Sequence, residues 1–168
     1  MHIRFPVTAL SLLLVLFCAG SASAQLFVPT GRDTLRGLPG VEVMVEDVPP
    51  ELRQAELATA ALRGMVEQRL RAGGIEVYAT QAANPSTAKA YVYVQLTALA
   101  LPGSLRAASI QVHLRQTVRS TVTESNIVDA MTWDTHTIAA VMPGEGAQLR
   151  DLVLEMVGRF VDDWRAVH

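Results

Sequence analysis

Ala107-Ala108-Ser109-Ile110-Gln111-Val112-His113-Leu114-Arg115-Gln116-Thr117-Val118-Arg119-Ser120-Thr121-Val122 is the stretch whose reading decides the fold. From Ala108 every second residue is small or apolar: Ala108, Ile110, Val112 and Leu114, then, after one lapse at Gln116, Val118. The residues between them are polar: Ser109, Gln111, His113, Arg115, Thr117 and Arg119. A period of two marks a strand with one face buried and the other wet. Tyr91–Leu99 before it and Ala130–Ile138 after it alternate in the same way, which makes a three-stranded meander. Pro102-Gly103-Ser104 supplies the first turn and Glu124-Ser125-Asn126 the second. With Ser125-Asn126 at the hairpin tip, Val118 pairs with Trp133, Arg115 with His136 and His113 with Ile138. Val92, Val94 and Leu96, then Met131, Trp133 and Thr135, are expected on the core face.

Working outward, Val41–Val48 reads as a first strand, with Val41, Val43 and Val45 alternating against Glu42, Met44 and Glu46. Pro49-Pro50 stops it. Glu51–Ala72 is predicted as one long helix with an apolar stripe of Ala55, Ala58, Leu62, Val66 and Leu70, closed by Gly73-Gly74. Ile75–Tyr78 is a short strand, and the short links make it parallel to the first. Ala79–Lys89 is a polar loop. After the meander, Met142-Pro143-Gly144 breaks the chain. Ala147–Val167 then carries a second stripe of Leu149, Val153, Met156, Phe160 and Trp164. Two amphipathic helices and one half-apolar sheet predict an α+β two-layer sandwich, a mixed sheet of about five strands in the order β-α-β-β-β-β-α with both helices on one face.

The chain has 168 residues, enough for one ordinary domain. Residues 1–24 read as a signal peptide: Arg4 in a short basic start, the apolar run Phe5–Phe17, then Ala22-Ser23-Ala24 before Gln25. That run is short for a bilayer span. Residues 25–40, with Pro29, Gly31, Gly37, Pro39 and Gly40, form a leader expected to wrap over the surface or stay mobile, with Leu26-Phe27-Val28 able to dock. Residues 41–168 form the single domain. Cleavage after Ala24 removes Cys18, the one cysteine, and the bulky Phe17 before it does not suit a lipidation site. The expected location is the periplasm or outside the cell, with no thiol and no membrane span after cleavage. Loss of Arg4 leaves 13 basic residues against 16 acids, a net charge of −3, which does not suit a nucleic-acid partner.

No phosphate loop, zinc-protease motif or nucleophile elbow is present, and no cofactor is implied. His113, Asp134 and His136 fall together on the solvent face of the meander, so a small metal-dependent or hydrolytic enzyme is the alternative reading. A flat face without ligand spacing favours a non-enzymatic role. The candidate partner-binding face comprises Tyr91, Tyr93, His113, Arg115, Asp134 and His136, with Tyr93 beside His113 and Tyr91 beside Arg115. Thr132 is expected on this face too.

Leu35–Val43, Val66–Ile75, Val112–Gln116 and Ala130–Asp134 resemble a family of small exported bacterial proteins of unassigned function. The order of elements is similar to the amino-terminal domain of TolB and to LptE-like periplasmic modules. That resemblance implies a periplasmic binding or envelope-assembly module, with an envelope protein or a second copy as partner. It assigns no catalytic residue, and the absent lipidation site departs from its lipoprotein members.

Overall fold

A computed structural model describes residues 31–53 and 57–168. Five strands and two helices follow in the order β1 (Val41–Val45), α1 (Thr59–Ala72), β2 (Val77–Tyr78), β3 (Tyr91–Ala100), β4 (Arg106–Arg119), β5 (Asn126–Val141) and α2 (Gly146–Arg165). The sheet order is β2-β1-β3-β4-β5. β1 runs parallel to β2 and β3, and β3, β4 and β5 form the antiparallel meander. This is the α+β arrangement expected, with the sheet open. The signal segment, the cleavage site and Leu26–Val28 lie outside the described residues.

The alternation in β4 sorts its side chains as read. Ala108, Ile110, Val112 and Leu114 are fully buried with Val92, Val94 and Leu96 of β3. Both helices cover this face. α2 presents Leu149, Val153, Met156, Val157, Phe160, Val161 and Trp164 to it, all buried. Each side chain of this size taken out of water contributes about 1.5–3 kcal/mol, so this stripe supplies much of the drive to fold. Trp133 packs edge-on to Phe160 with ring centroids 5.0 Å apart, and its Nε1 donates to Asp163 Oδ2 at 2.9 Å. Among the described residues no helix is long and apolar enough to cross a membrane.

α1 starts at Thr59, not Glu51. A 3-10 turn at Pro50–Leu52 follows the prolines, and Leu52 and Leu57 are both buried. An unbroken helix would turn Leu57 about 140° away from Leu62, off the stripe that Leu62, Val66 and Leu70 bury. Core burial of Leu57 outweighs local helix propensity. At the far end Gly74 has φ +87, while Gly73 is still right-handed, so the left-handed cap falls on Gly74 alone. Gly74 N–H donates to Arg71 O and Ile75 N–H to Leu70 O, the paired bonds of a Schellman closure. Gly73 is needed for another reason: a Cβ there would lie 2.6 Å from Val161 Cγ1 of α2. Arg165 of α2 then donates to Gly73 O and Ala72 O, tying the two helix ends together.

The first and second strands are shorter than predicted. β1 ends at Val45, and Ile75 is buried as a core residue before β2 begins. Gly31–Leu35 forms a 3-10 turn against β5, with Leu35 fully buried and Leu38 nearly so. The leader is therefore docked from Gly31 onward. Gln116, the lapse in the β4 alternation, is its anchor: it is 5% exposed on the core face, and its Nε2 donates to Thr34 O and Thr132 Oγ1.

The β4–β5 register differs from expectation. Leu114 pairs with Trp133, His113 with Asp134, Gln111 with His136 and Ser109 with Ile138. The tip lies at Thr121–Glu124, closed by Ser120 N–H donating to Ser125 O. From Arg106 to Leu114, away from the tip, the shift is four residues, an even number, so the faces survive there while the partners change. Two irregularities intervene, between Leu114 and Arg115 and between Gln116 and Val118. The first inverts two expectations: Met131 pairs with Arg115 and is 56% exposed, while Thr132 meets Gln116 on the core side. An extra residue in one strand has this effect on the side chains beyond it.

Candidate functional site

The face turned away from the helices is covered by no described element. Its rows follow from the register. One row runs Glu42, Tyr91, Arg115, Met131; the next Met44, Tyr93, His113, Asp134; the third begins at Gln95 and continues through Gln111 to His136. All six residues expected on this face are on it. Tyr93 stands beside His113 and Tyr91 beside Arg115, as read from the chain.

The structure separates these six into two groups. Around Tyr91 the polar groups are interlocked. Asp129 sits at the second irregularity of β5 with φ +63, a left-handed conformation that aspartate tolerates better than most residues. Its carboxylate accepts from the Tyr91 hydroxyl and, at 2.6 Å, from Arg115 Nη1. The Arg115 guanidinium also lies 5.6 Å from the centre of the Tyr93 ring. Tyr93 Oη donates to Glu46 Oε2 at 2.8 Å. Tyr91 is buried rather than open to water, and burial together with the Asp129 carboxylate raises its hydroxyl pKa above the ordinary tyrosine value. Burial and Glu46 act on Tyr93 in the same direction. Tyr93 and Arg115 are half-buried, not exposed.

On the other side the groups are unpaired. His113 stacks on Tyr93 with centroids 5.2 Å apart and planes 17° from parallel. It is 7% exposed, and its Nε2 is buried with no hydrogen-bond partner among the described residues. Burial, reinforced by the Arg115 charge, lowers the imidazole pKa, while Asp134 and Asp129 oppose the shift. Gln111, Asp134 and His136 make no side-chain hydrogen bond or ion pair among the described residues. His113, Gln111, Asp134, His136, Met131 and Thr135 line a shallow depression of about 280 Å³. Among the described residues no group of three or more His, Cys, Asp or Glu side chains is placed to hold a metal ion.

Sequence reasoning missed Asp129, Glu46 and the apolar margin of the face. Met44, Leu99, Met131 and Ile138 are exposed large hydrophobic side chains. All four fall on the open face by register. An aspartate immediately before the alternating stretch Ala130–Ile138 was the available signal for Asp129, because aspartate is depleted in regular strands and visits the left-handed region more readily than most residues.

No protein-family model matches the chain, and no curated protein matches it. Among solved structures, a minor lipoprotein from Acinetobacter baumannii is similar with a TM-score of 0.38 and 10% identity, over 79% of this chain and 92% of that one.

Proposed function

We propose that this protein is a non-enzymatic binding or assembly module of the bacterial envelope, engaging a protein partner or a second copy through the open sheet face. The observation that carries the reading is the composition of that face. Exposed Met44, Leu99, Met131 and Ile138 surround a cluster of buried Tyr91 and His113 and half-buried Tyr93 and Arg115, with no described element over them. Apolar side chains rimmed by polar ones, with aromatic and arginine residues at the centre, are the make-up of protein interfaces. The envelope location rests on the signal segment read at residues 1–24.

Arg115→Glu would be the obvious probe from the sequence alone, but it would set a second carboxylate against Asp129 and disturb Tyr93. Met131→Glu is cleaner, since Met131 is 56% exposed. Affinity capture from native envelope fractions should recover a specific partner, or the protein itself, with wild type and lose it with Met131→Glu. Equal recovery by both would remove this face from the functional account.

A further inference from the structure

Resting on that reading, we infer that the depression between β4 and β5 receives an arginine side chain of the partner, its guanidinium on Asp134 and its stem on Met131. His113 is more than nine-tenths buried in the wall of the depression, with Nε2 unpartnered. Burial and the nearby Arg115 charge lower its pKa, so at neutral pH the ring is neutral and offers one lone pair and one N–H, with little positive charge. Asp134 is an exposed carboxylate without an ion-pair partner, and Gln111 offers an amide oxygen. Acceptors therefore outnumber fixed positive charges, and an anion would meet Asp134 at close range. A cation with several donors satisfies the same set.

Among biological cations, guanidinium matches it best. It has five N–H donors and no acceptor, it forks onto a carboxylate, and it is less strongly hydrated than an ammonium. The exposed Met131 side chain offers an apolar wall for the three-carbon stem. In the adjoining row the Asp129 carboxylate is already held by Tyr91 and Arg115, and the unpartnered Glu42 Oε2 is buried on β1, at the far end of that row from Met131. Charge complementarity thus selects the occupant and places it on one half of the face.

The test is a titration of the full folded chain followed by backbone and side-chain nuclear magnetic resonance. The probes are N-acetyl-argininamide, its neutral isostere N-acetyl-citrullinamide, and zinc ion. The expected result is saturable shifts at His113, Met131 and Asp134 with the arginine probe and none with citrulline. Asp134→Asn should weaken the arginine response about fivefold, the scale of one exposed ion pair. Equal responses to arginine and citrulline would overturn the proposal, as would an unaltered response in Asp134→Asn. Zinc shifting His113 and His136 where arginine does not would reassign the depression to a metal and overturn it too. These outcomes are separate from the capture experiment. If Met131→Glu abolishes capture while the arginine probe is silent, the face binds its partner by other chemistry and only the arginine assignment falls.

Discussion

Two halves of one sheet face both carry polar side chains and treat them differently. In the half around Tyr91, Asp129 holds Tyr91 and Arg115, and Glu46 holds Tyr93. In the half around His113, Gln111, Asp134 and His136 have no partner among the described residues. The difference comes from backbone as well as composition. The second irregularity of β5 puts Asp129 in a left-handed conformation, from which its carboxylate reaches across to β4 and β3. Between Trp133 and Val141 the pairing with β4 runs without a shift, so Gln111 lies opposite His136 and His113 opposite Asp134 across the ladder. Polar groups on a sheet become structural where the backbone brings them partners, and stay available to a ligand where it does not.

The covered face sets the scale against which both halves are measured. Trp133→Ala and Trp164→Ala should each cost about 3–5 kcal/mol in urea unfolding, as truncation of a buried aromatic does. Both indoles are 6% exposed, and both pack on Phe160. Losses below those of the open-face variants would mean that the two faces have been assigned the wrong way round.

Asp129→Ala should come next, at about 1 kcal/mol, because it strips a partner from Tyr91 and from Arg115 together. Arg115→Ala made in the same background should add less than it costs alone, since the two act as one network. Full additivity would show that the interlocked half is not a unit.

A pH series sharpens the contrast at His113. Its pKa in the folded protein lies below the ordinary value of 6.5, from burial first and then the Arg115 charge. The unfolded chain therefore binds the proton more readily. The stability that comes from keeping this ring neutral is complete above about pH 6.5 and is lost as the pH falls from there toward the lowered folded-state value. Urea midpoints near pH 7.5 and near pH 5.5 should differ more in wild type than in His113→Gln. The same drop in both would assign the acid sensitivity to other groups.

Much of this arrangement is legible in the chain, and the reasons it runs out are physical. Alternation reports which face a residue takes, so the β3–β4 rows and the helix stripe from Leu149 to Trp164 follow directly. The turn around Gly103 also sets the β3–β4 register, which is why Tyr93 beside His113 could be read. Alternation is blind to a shift by an even number of residues, so the β4–β5 partners could not be read. It is also blind to an inserted residue, which is how Met131 and Thr132 exchange faces. Gln116 looked like a flaw in the pattern, and only the docked turn at Gly31–Leu35 explains it. The early start expected for α1 fails because Leu57 is claimed by the core.

The smallest expected stability effect carries the most weight for function. Ile138 is 73% exposed on β5, so Ile138→Asp should change unfolding free energy by no more than about 0.5 kcal/mol. Measuring stability and envelope capture side by side for Ile138→Asp and Asp129→Ala tests the division of the face most directly. The account predicts that Ile138→Asp keeps its stability and loses capture, while Asp129→Ala loses stability and, where folded, keeps capture. The reverse pattern, with Asp129→Ala losing capture and Ile138→Asp retaining it, would contradict the account.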